Sequence, residues 1–216
     1  MKSLFAKLNR ILALPLDVGP RGLLVVAALL LLPAYLSPLW RLTMFAPQYS
    51  DGLRMDIYSW KLVGGNGGQD IKEINLLNHY IGMKDLVSAD FTEFKWMPFV
   101  IGGMGLLMLR ASVIGKMSAL LDVTVVYVYF GLFSLWSFAY KMYHYGHQLL
   151  PTAAVKVAPF MPPLFGRKQL ANFEVYSYPS TGSYALTLSI VLLLIAGVLA
   201  LREGRKTLQH QEQAAA

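Results

Sequence analysis

The sequence predicts a mainly α, integral membrane fold: a four-helix transmembrane bundle with a small α+β extracytoplasmic domain built from two loops. Hydrophobic residues make up 56% of the 216 residues and charged residues only 14%, a balance that is typical of membrane proteins. The apolar residues are concentrated in four long runs. Two long polar segments separate the first run from the second and the third from the fourth, and they can supply the outer domain.

The four apolar runs are close to the roughly 20 residues that a helix needs to cross about 30 Å of hydrocarbon. Residues 1–21 precede them, and the spacing of their apolar and basic residues predicts an uncleaved amphipathic segment on the cytoplasmic membrane surface. Residues 202–216 form a polar cytoplasmic tail. The predicted spans cover residues 22–44, 97–114, 117–140 and 184–201.

Basic residues near the spans indicate the orientation of the chain, because loops rich in Lys and Arg stay in the cytoplasm. The amino-terminal segment, the turn with Arg110 and Lys116, and the tail are basic. Residues 45–96 instead carry more acidic than basic side chains. We therefore expect a protein of the bacterial inner membrane with both termini cytoplasmic. Residues 45–96 and 141–183 would be periplasmic and are called outer loop 1 and outer loop 2.

Outer loop 1 is predicted to hold a strand and a helix. Residues 53–63 alternate loosely and are rich in Ile, Tyr, Trp and Val, which favours a strand. Asp70 can cap a helix, and Glu73 three residues later completes an acidic variant of the capping box. Gly82 can end this helix in the left-handed conformation. One face of the helix is apolar at helical spacing and should be buried; its residues are Ile71, Ile74, Leu77 and Ile81.

Outer loop 2 contains a second candidate strand, residues 172–178, which could pair with residues 53–63. Such pairing is expected because isolated strands are marginal in water. The paired strands would place the Asp70 helix across a small core and bring His79 toward the end of the third span, near His144 and His147. The core would be formed by Ile57, Leu62, Phe173 and Val175.

Composition excludes several classes of function. The chain has no cysteine, so it offers no disulfide, thiolate metal site or catalytic Cys. The net charge of +7 arises from basic residues that flank apolar runs, so we do not expect nucleic-acid binding. The sequence shows no phosphate-binding loop and no dinucleotide fingerprint. Paired carboxylates and a nucleophile with its base are also missing, which predicts a protein that is not an enzyme.

Soft-metal binding is the chemistry that the outer segments suggest. Three of the four histidines, His79, His144 and His147, lie in outer segments close to methionines. In a continuous helix His79 and Met83 would lie one above the other, and His144 and His147 would share a face. Imidazole and thioether ligands without thiolate favour copper. The alternative is that His79 only forms hydrogen bonds, and that His144 and His147 anchor the membrane interface.

The outer segments also resemble a family of uncharacterised bacterial membrane proteins. The similarity is carried by Ala46-Pro47-Gln48-Tyr49 with Gly52-Leu53, by Ile74-Asn75, and by the run N-H-Y-I-G-M at residues 78–83. Residues 159–179, with Asn172-Phe173-Glu174-Val175, belong to the same pattern. Genes of this family lie near those for nitrous oxide reductase maturation and other copper handling. The resemblance therefore implies a role in copper handling, and it covers about a third of the chain.

Two functions follow as hypotheses. The first is a membrane-anchored copper-binding and copper-delivery accessory protein, with His79, Met83, His144 and His147 as ligands and a periplasmic or membrane cuproenzyme as partner. The second is a non-catalytic structural subunit of a larger membrane complex of the respiratory type. In that case the helix with the N-H-Y-I-G-M run is a docking surface. Both hypotheses include the lipid bilayer as a partner.

Overall fold

A computed structural model describes residues 8–170 and 172–214, with side chains as far as Gly204. Within this part of the chain four helical segments are long and apolar enough to cross a membrane, and a small sheet accompanies them. This confirms the predicted mainly α class with a small α+β part. The elements are α1 Val18–Leu29, α2 Leu31–Leu36, β1 Trp40–Ala46, β2 Tyr49–Ile57, β3 Leu62–Gly64, α3 Gln69–Tyr80, α4 Glu93–Ile114, α5 Met117–His147, β4 Gly166–Leu170, β5 Phe173–Pro179 and α6 Thr181–Ala214.

The first predicted span was wrong at its carboxyl end. Residues 22–44 were expected to form one helix, but the candidate span is Val18–Leu36 and strand β1 begins at Trp40. Pro33 explains the break at Leu30 between α1 and α2, because its ring clashes with the carbonyl four residues earlier. Pro38 then prevents the helix from continuing. The apolar residues of β1 alternate with polar ones, and this alternation was mistaken for the end of an apolar helix.

The other spans are longer than predicted. Helix α4 starts at Glu93 rather than at residue 97, and α5 continues from Met117 to His147 rather than stopping at residue 140. Helix α6 begins at Thr181, three residues before the predicted start at residue 184. Polar residues at a span end mark the edge of the apolar run, whereas the helix itself continues into the interface.

The chain divides into two compact units, of which the first contains the described residues 8–32, 99–131 and 185–214. Its helices pack through residues that are almost fully buried, among them Leu24, Met108 and Leu193. The Ser189 hydroxyl donates a hydrogen bond to the Ala27 carbonyl at 2.9 Å. Such bonds satisfy polar groups that have no access to water.

The second unit, Pro33–Pro98 with Leu132–Tyr184, contains a five-stranded sheet in the order β3-β2-β1-β5-β4, with every neighbouring pair antiparallel. The expected strand 53–63 is two strands, since β2 ends at Ile57 and β3 starts at Leu62. The expected pairing of residues 53–63 with 172–178 was also wrong. Strand β1 lies between them, because the tight turn at residues 47–48 lets β1 and β2 pair at a low cost in loop entropy.

One face of the sheet and helix α3 share a hydrophobic core. Ile74, Leu77 and Ile81 are buried, which confirms the apolar face predicted for the helix, and Ile71 is partly buried against them. From the sheet, Leu53, Met55, Phe173 and Val175 are buried, and Ile57 and Leu62 are partly buried against the same cluster. Both outer segments thus contribute to one core.

Gly82 allows the chain to turn at the end of α3. Its φ is +79°, as the predicted C-cap requires, and a Cβ here would come within 2.8 Å of the Leu150 carbonyl oxygen and 2.9 Å of the Ala153 Cβ. Glycine is therefore needed both for the backbone conformation and for the close approach of the following segment.

We predict that Gly82→Ala lowers the free energy of unfolding by about 2–5 kcal/mol, since the left-handed backbone costs roughly 1–2 kcal/mol and overpacking adds about 1–3 kcal/mol. The matched control is Gly67→Ala, because Gly67 has a φ of +66° but a Cβ there would meet none of the described atoms within 4 Å. Thermal and denaturant unfolding of the purified protein measure both. Equal losses for the two variants would contradict the packing at Gly82.

Candidate functional site

The start of α3 is held by the sheet rather than by a capping box. The helix begins at Gln69, and the N-cap is Gly68, which has no side chain to cap the helix. The buried Asp70 carboxylate instead accepts hydrogen bonds from the Arg54 backbone N–H and from Asn66 Nδ2, both at 2.8 Å. The predicted role of Asp70 as N-cap was therefore wrong, because left-handed Gly68 is the N-cap and the helix begins two residues earlier than a helix capped by Asp70 would.

Glu73 contacts both the sheet and the side chain of Gln69, the first residue of α3. Its carboxylate accepts a hydrogen bond from the Tyr49 hydroxyl and another from Gln69 Nε2, the latter at 2.8 Å. These bonds, that of Tyr49 first, lower the pKa of the Glu73 carboxyl from its ordinary value of 4.5. The bond to Glu73 also raises the pKa of the Tyr49 hydroxyl. The two groups therefore stabilise each other while Glu73 is ionised and Tyr49 is protonated.

The asparagines beside the predicted metal ligands have structural roles. The Asn75 side chain accepts a hydrogen bond from the Leu86 N–H at 2.8 Å and donates one to the Leu86 carbonyl at 3.4 Å. Asn78 is 2% exposed, and its carbonyl accepts the Met83 N–H at 2.8 Å. Both residues hold residues 81–86 against the helix.

His79 and Met83 do not form the expected stacked pair. Helix α3 ends at Tyr80, and the left-handed Gly82 turns the chain before Met83. As a result His79 is exposed, whereas Met83 is buried in the apolar core with Tyr145 and Ile81. The prediction that both lie on one helical face was wrong, since it required α3 to continue through Gly82.

His144 and His147 occupy the last two turns of α5. The His144 ring contacts Tyr140 edge-to-face, with centroids 4.3 Å apart, and the His147 ring stacks on Tyr143 at 3.8 Å. His147 Nδ1 is 2.9 Å from the Tyr143 carbonyl oxygen. In a neutral imidazole that donates from Nδ1, the other nitrogen, Nε2, keeps its lone pair and can bind a metal. The ring is thus oriented as metal-binding histidines are.

The N-H-Y-I-G-M run is joined to the segment that follows α5. The Leu150 N–H donates to the Gly82 carbonyl at 2.8 Å, and the Val155 N–H donates to the Tyr80 carbonyl at 3.0 Å. The predicted approach of the two outer segments therefore occurs in the backbone. However, the described residues contain no group of three or more His, Asp or Glu side chains that could hold a metal ion. A shared site of His79, His144 and His147 is not assembled.

A polar cluster that was not predicted ties the start of α4 to α5. The Ser137 hydroxyl donates to Glu93 Oε1 at 2.6 Å, and Lys141 Nζ is 3.6 Å from Glu93 Oε2. Lys141 also donates to the Asp90 carbonyl at 2.7 Å. The sequence contains a signal for this pair. Glu93 lies just before the predicted span 97–114 and Lys141 just after the predicted span 117–140, so both side chains would lie at the same membrane level.

The outward face of α3 carries large side chains. Leu76 is 62% and Tyr80 55% exposed, and His79 lies beside them. Leu76 and Tyr80 are one helical turn apart, and the exposed residues of α3 also include Gln69, Lys72 and His79. Large apolar side chains exposed side by side are a candidate contact point for a partner.

No protein-family model matches the chain, and no curated protein is significantly similar to it. The class is therefore defined by the fold: the described residues form four helices of spanning length and one antiparallel sheet, which fits a membrane protein. The resemblance to the copper-associated family stays a prediction.

We predict that Tyr49→Phe destabilises the protein in a pH-dependent way. Because the folded pKa of Glu73 is lowered, the stabilisation by Tyr49 is present above the ordinary pKa of 4.5 and is lost as the pH falls through the folded value. Thermal unfolding midpoints of wild type and variant should therefore differ near neutral pH and converge in acid. Tyr80→Phe is the control, and its midpoint should follow wild type throughout. A Tyr49→Phe difference that is independent of pH would contradict the bond.

Proposed function

We propose that the protein is a membrane-anchored accessory protein that binds copper at the last two turns of α5 and delivers it to a periplasmic or membrane cuproenzyme. The orientation of His147 carries the proposal. Its Nδ1 lies against the Tyr143 carbonyl, so Nε2 is the nitrogen available for a metal. His144, three residues earlier on the same helix, is half-buried and supplies a second imidazole.

Of the four residues predicted as copper ligands, His144 and His147 form the proposed site. Imidazole is a suitable ligand for copper in a chain without cysteine. Met83 is not part of the proposed set, because its side chain is 9% exposed and lies in the apolar core. His79 is exposed and belongs to the run that is hydrogen-bonded to the segment after α5. It would complete the site only after a movement of that segment. Two protein ligands suit an ion that is passed on rather than kept.

The topology proposed with this function places the sheet and α3 in the periplasm and both termini in the cytoplasm. The distribution of basic residues supports it, as does the resemblance of the outer segments to proteins encoded near copper-handling genes. The role is binding and delivery rather than catalysis.

Metal analysis of the purified protein in lipid nanodiscs tests the proposal. After incubation with copper and removal of the excess, wild type should retain a copper ion per chain, and the double variant His144→Gln, His147→Gln should lose it. Met83→Leu is the matched control and should retain copper, because a buried thioether is replaced by a side chain of similar volume. His79→Gln should weaken retention without abolishing it.

Wild type that retains no more copper than the double variant would contradict copper binding at α5. A loss of copper in Met83→Leu that equals the loss in the double variant, with an unchanged unfolding midpoint, would contradict the exclusion of Met83 and place it in the ligand set beside the two histidines.

A second candidate function is that of a non-catalytic subunit of a larger membrane complex. The observation that favours it is the exposed face of α3, with Leu76 and Tyr80. Purification in mild detergent discriminates between the two functions. A stable partner that is lost on Leu76→Lys, with no copper in either preparation, would favour the subunit. A copper-loaded protein without partner would favour delivery.

A further inference from the structure

One end of the sheet lies where the chain leaves the spanning helices. Leu39 follows the end of the candidate span Val18–Leu36 by three residues, and its N–H donates to the Ile57 carbonyl at 2.7 Å. On its other side the Leu39 carbonyl accepts the Ser180 N–H at 2.9 Å, next to Thr181, where α6 begins. The end of β2, the start of β1 and the end of β5 therefore lie at the level of these helix ends.

The β2–β3 turn at this end is aromatic and basic. The turn is closed by the Tyr58 N–H, which donates to the Lys61 carbonyl at 2.9 Å. Lys61 Nζ lies 4.2 Å from the centre of the Trp60 ring and 5.2 Å from that of Tyr58. The Trp60 side chain is 45% exposed. An ammonium group is thus stacked on an indole at the tip of a surface turn.

A second aromatic group lies at the same end of the sheet, on the β4–β5 side. Phe165 precedes β4, whose first residue Gly166 pairs with Ser177. The Phe165 ring is 68% exposed and contacts Tyr178 edge-to-face, with centroids 5.3 Å apart. Ser177 is two residues before the end of β5, where Pro179 pairs with Trp40.

The opposite end of the sheet is different. The β1–β2 turn consists of Pro47 and Gln48, both exposed, and Asn172 precedes β5 in the described part of the other turn. Strand β1 has seven residues. At a rise of roughly 3.3 Å per residue, it places the two ends of the sheet about 20 Å apart. The exposed aromatic side chains of these turns are therefore confined to the end that adjoins the helices.

We propose that this end of the sheet is seated in the phospholipid headgroup layer, with Trp60 and Lys61 on one side and Phe165 and Tyr178 on the other. Trp and Tyr favour the membrane–water interface, where the ring is in an apolar environment and its polar atom reaches water or headgroups. A lysine at this level extends its ammonium toward lipid phosphate. The exposure of Phe165 is then toward lipid rather than water. The proposal does not depend on copper.

Tryptophan fluorescence of the protein in lipid nanodiscs tests whether this end of the sheet lies in the headgroup layer. In a variant with Trp40, Trp96 and Trp136 changed to Phe, Trp60 is the remaining tryptophan. Its emission should be shifted to the blue and quenched by lipids brominated near the headgroup end of the acyl chain, more than by lipids brominated near the chain terminus. The matched control adds Trp60→Phe and Gln48→Trp, which places the indole at the far end of the sheet. Its emission should be water-like and unquenched.

Should the triple background fail to fold, the comparison is made in the natural chain. Subtracting the spectrum of Trp60→Phe from that of wild type isolates Trp60, and the difference spectrum should show the same blue shift and the same preference for the shallow bromine. Emission from Trp60 that matches Gln48→Trp, or that neither brominated lipid quenches, would overturn the proposal. Stronger quenching by the deep bromine would overturn it too, since the turn would then lie in the hydrocarbon.

Discussion

The pairing of β1 with β5 is the interaction on which the second unit depends. It joins residues 40–45 to residues 174–179 through six antiparallel pairs, from Trp40 with Pro179 to Phe45 with Glu174. More than a hundred residues separate the two strands, so the pairing closes a long loop, and the entropy lost must be offset by the core that it creates. Phe173 and Val175 enter that core only because β5 lies beside β1. Residues of α3 complete it.

Local features of this unit could be predicted from the sequence better than long-range ones. The apolar face of α3 and the left-handed Gly82 follow from spacing and from the chemistry of glycine, and both were confirmed. The identity of β1 was not predictable from hydropathy, because an alternating apolar strand next to an apolar helix looks like its continuation. Helix α5 continues beyond residue 140, where it was predicted to end. That prediction followed the end of the apolar run, but polar residues do not stop a helix.

The same contrast between local and long-range features applies to the candidate site. The spacing of His144 and His147 was expected to place them on one face only if the third span continued past residue 140, and α5 does continue through both of them. Sequence spacing failed for Met83, because a pattern of residues four apart assumes a continuous helix, and α3 ends at Tyr80. The ion pair of Glu93 with Lys141 joins segments far apart in sequence, and only their positions at span ends give a signal. Sequence therefore identifies the donors, whereas the fold determines which of them meet.

The central claim, that β1 lies between β2 and β5, can be tested directly because the chain has no cysteine. Thr43 pairs with Tyr176 on one side and with Arg54 on the other. Cysteines at opposed positions of an antiparallel pair lie within disulfide range. Full-length protein with Thr43→Cys and Tyr176→Cys should form the disulfide on oxidation, whereas Arg54→Cys with Tyr176→Cys, two strands apart, should stay reduced. Cross-linking of the second pair but not the first would contradict the strand order.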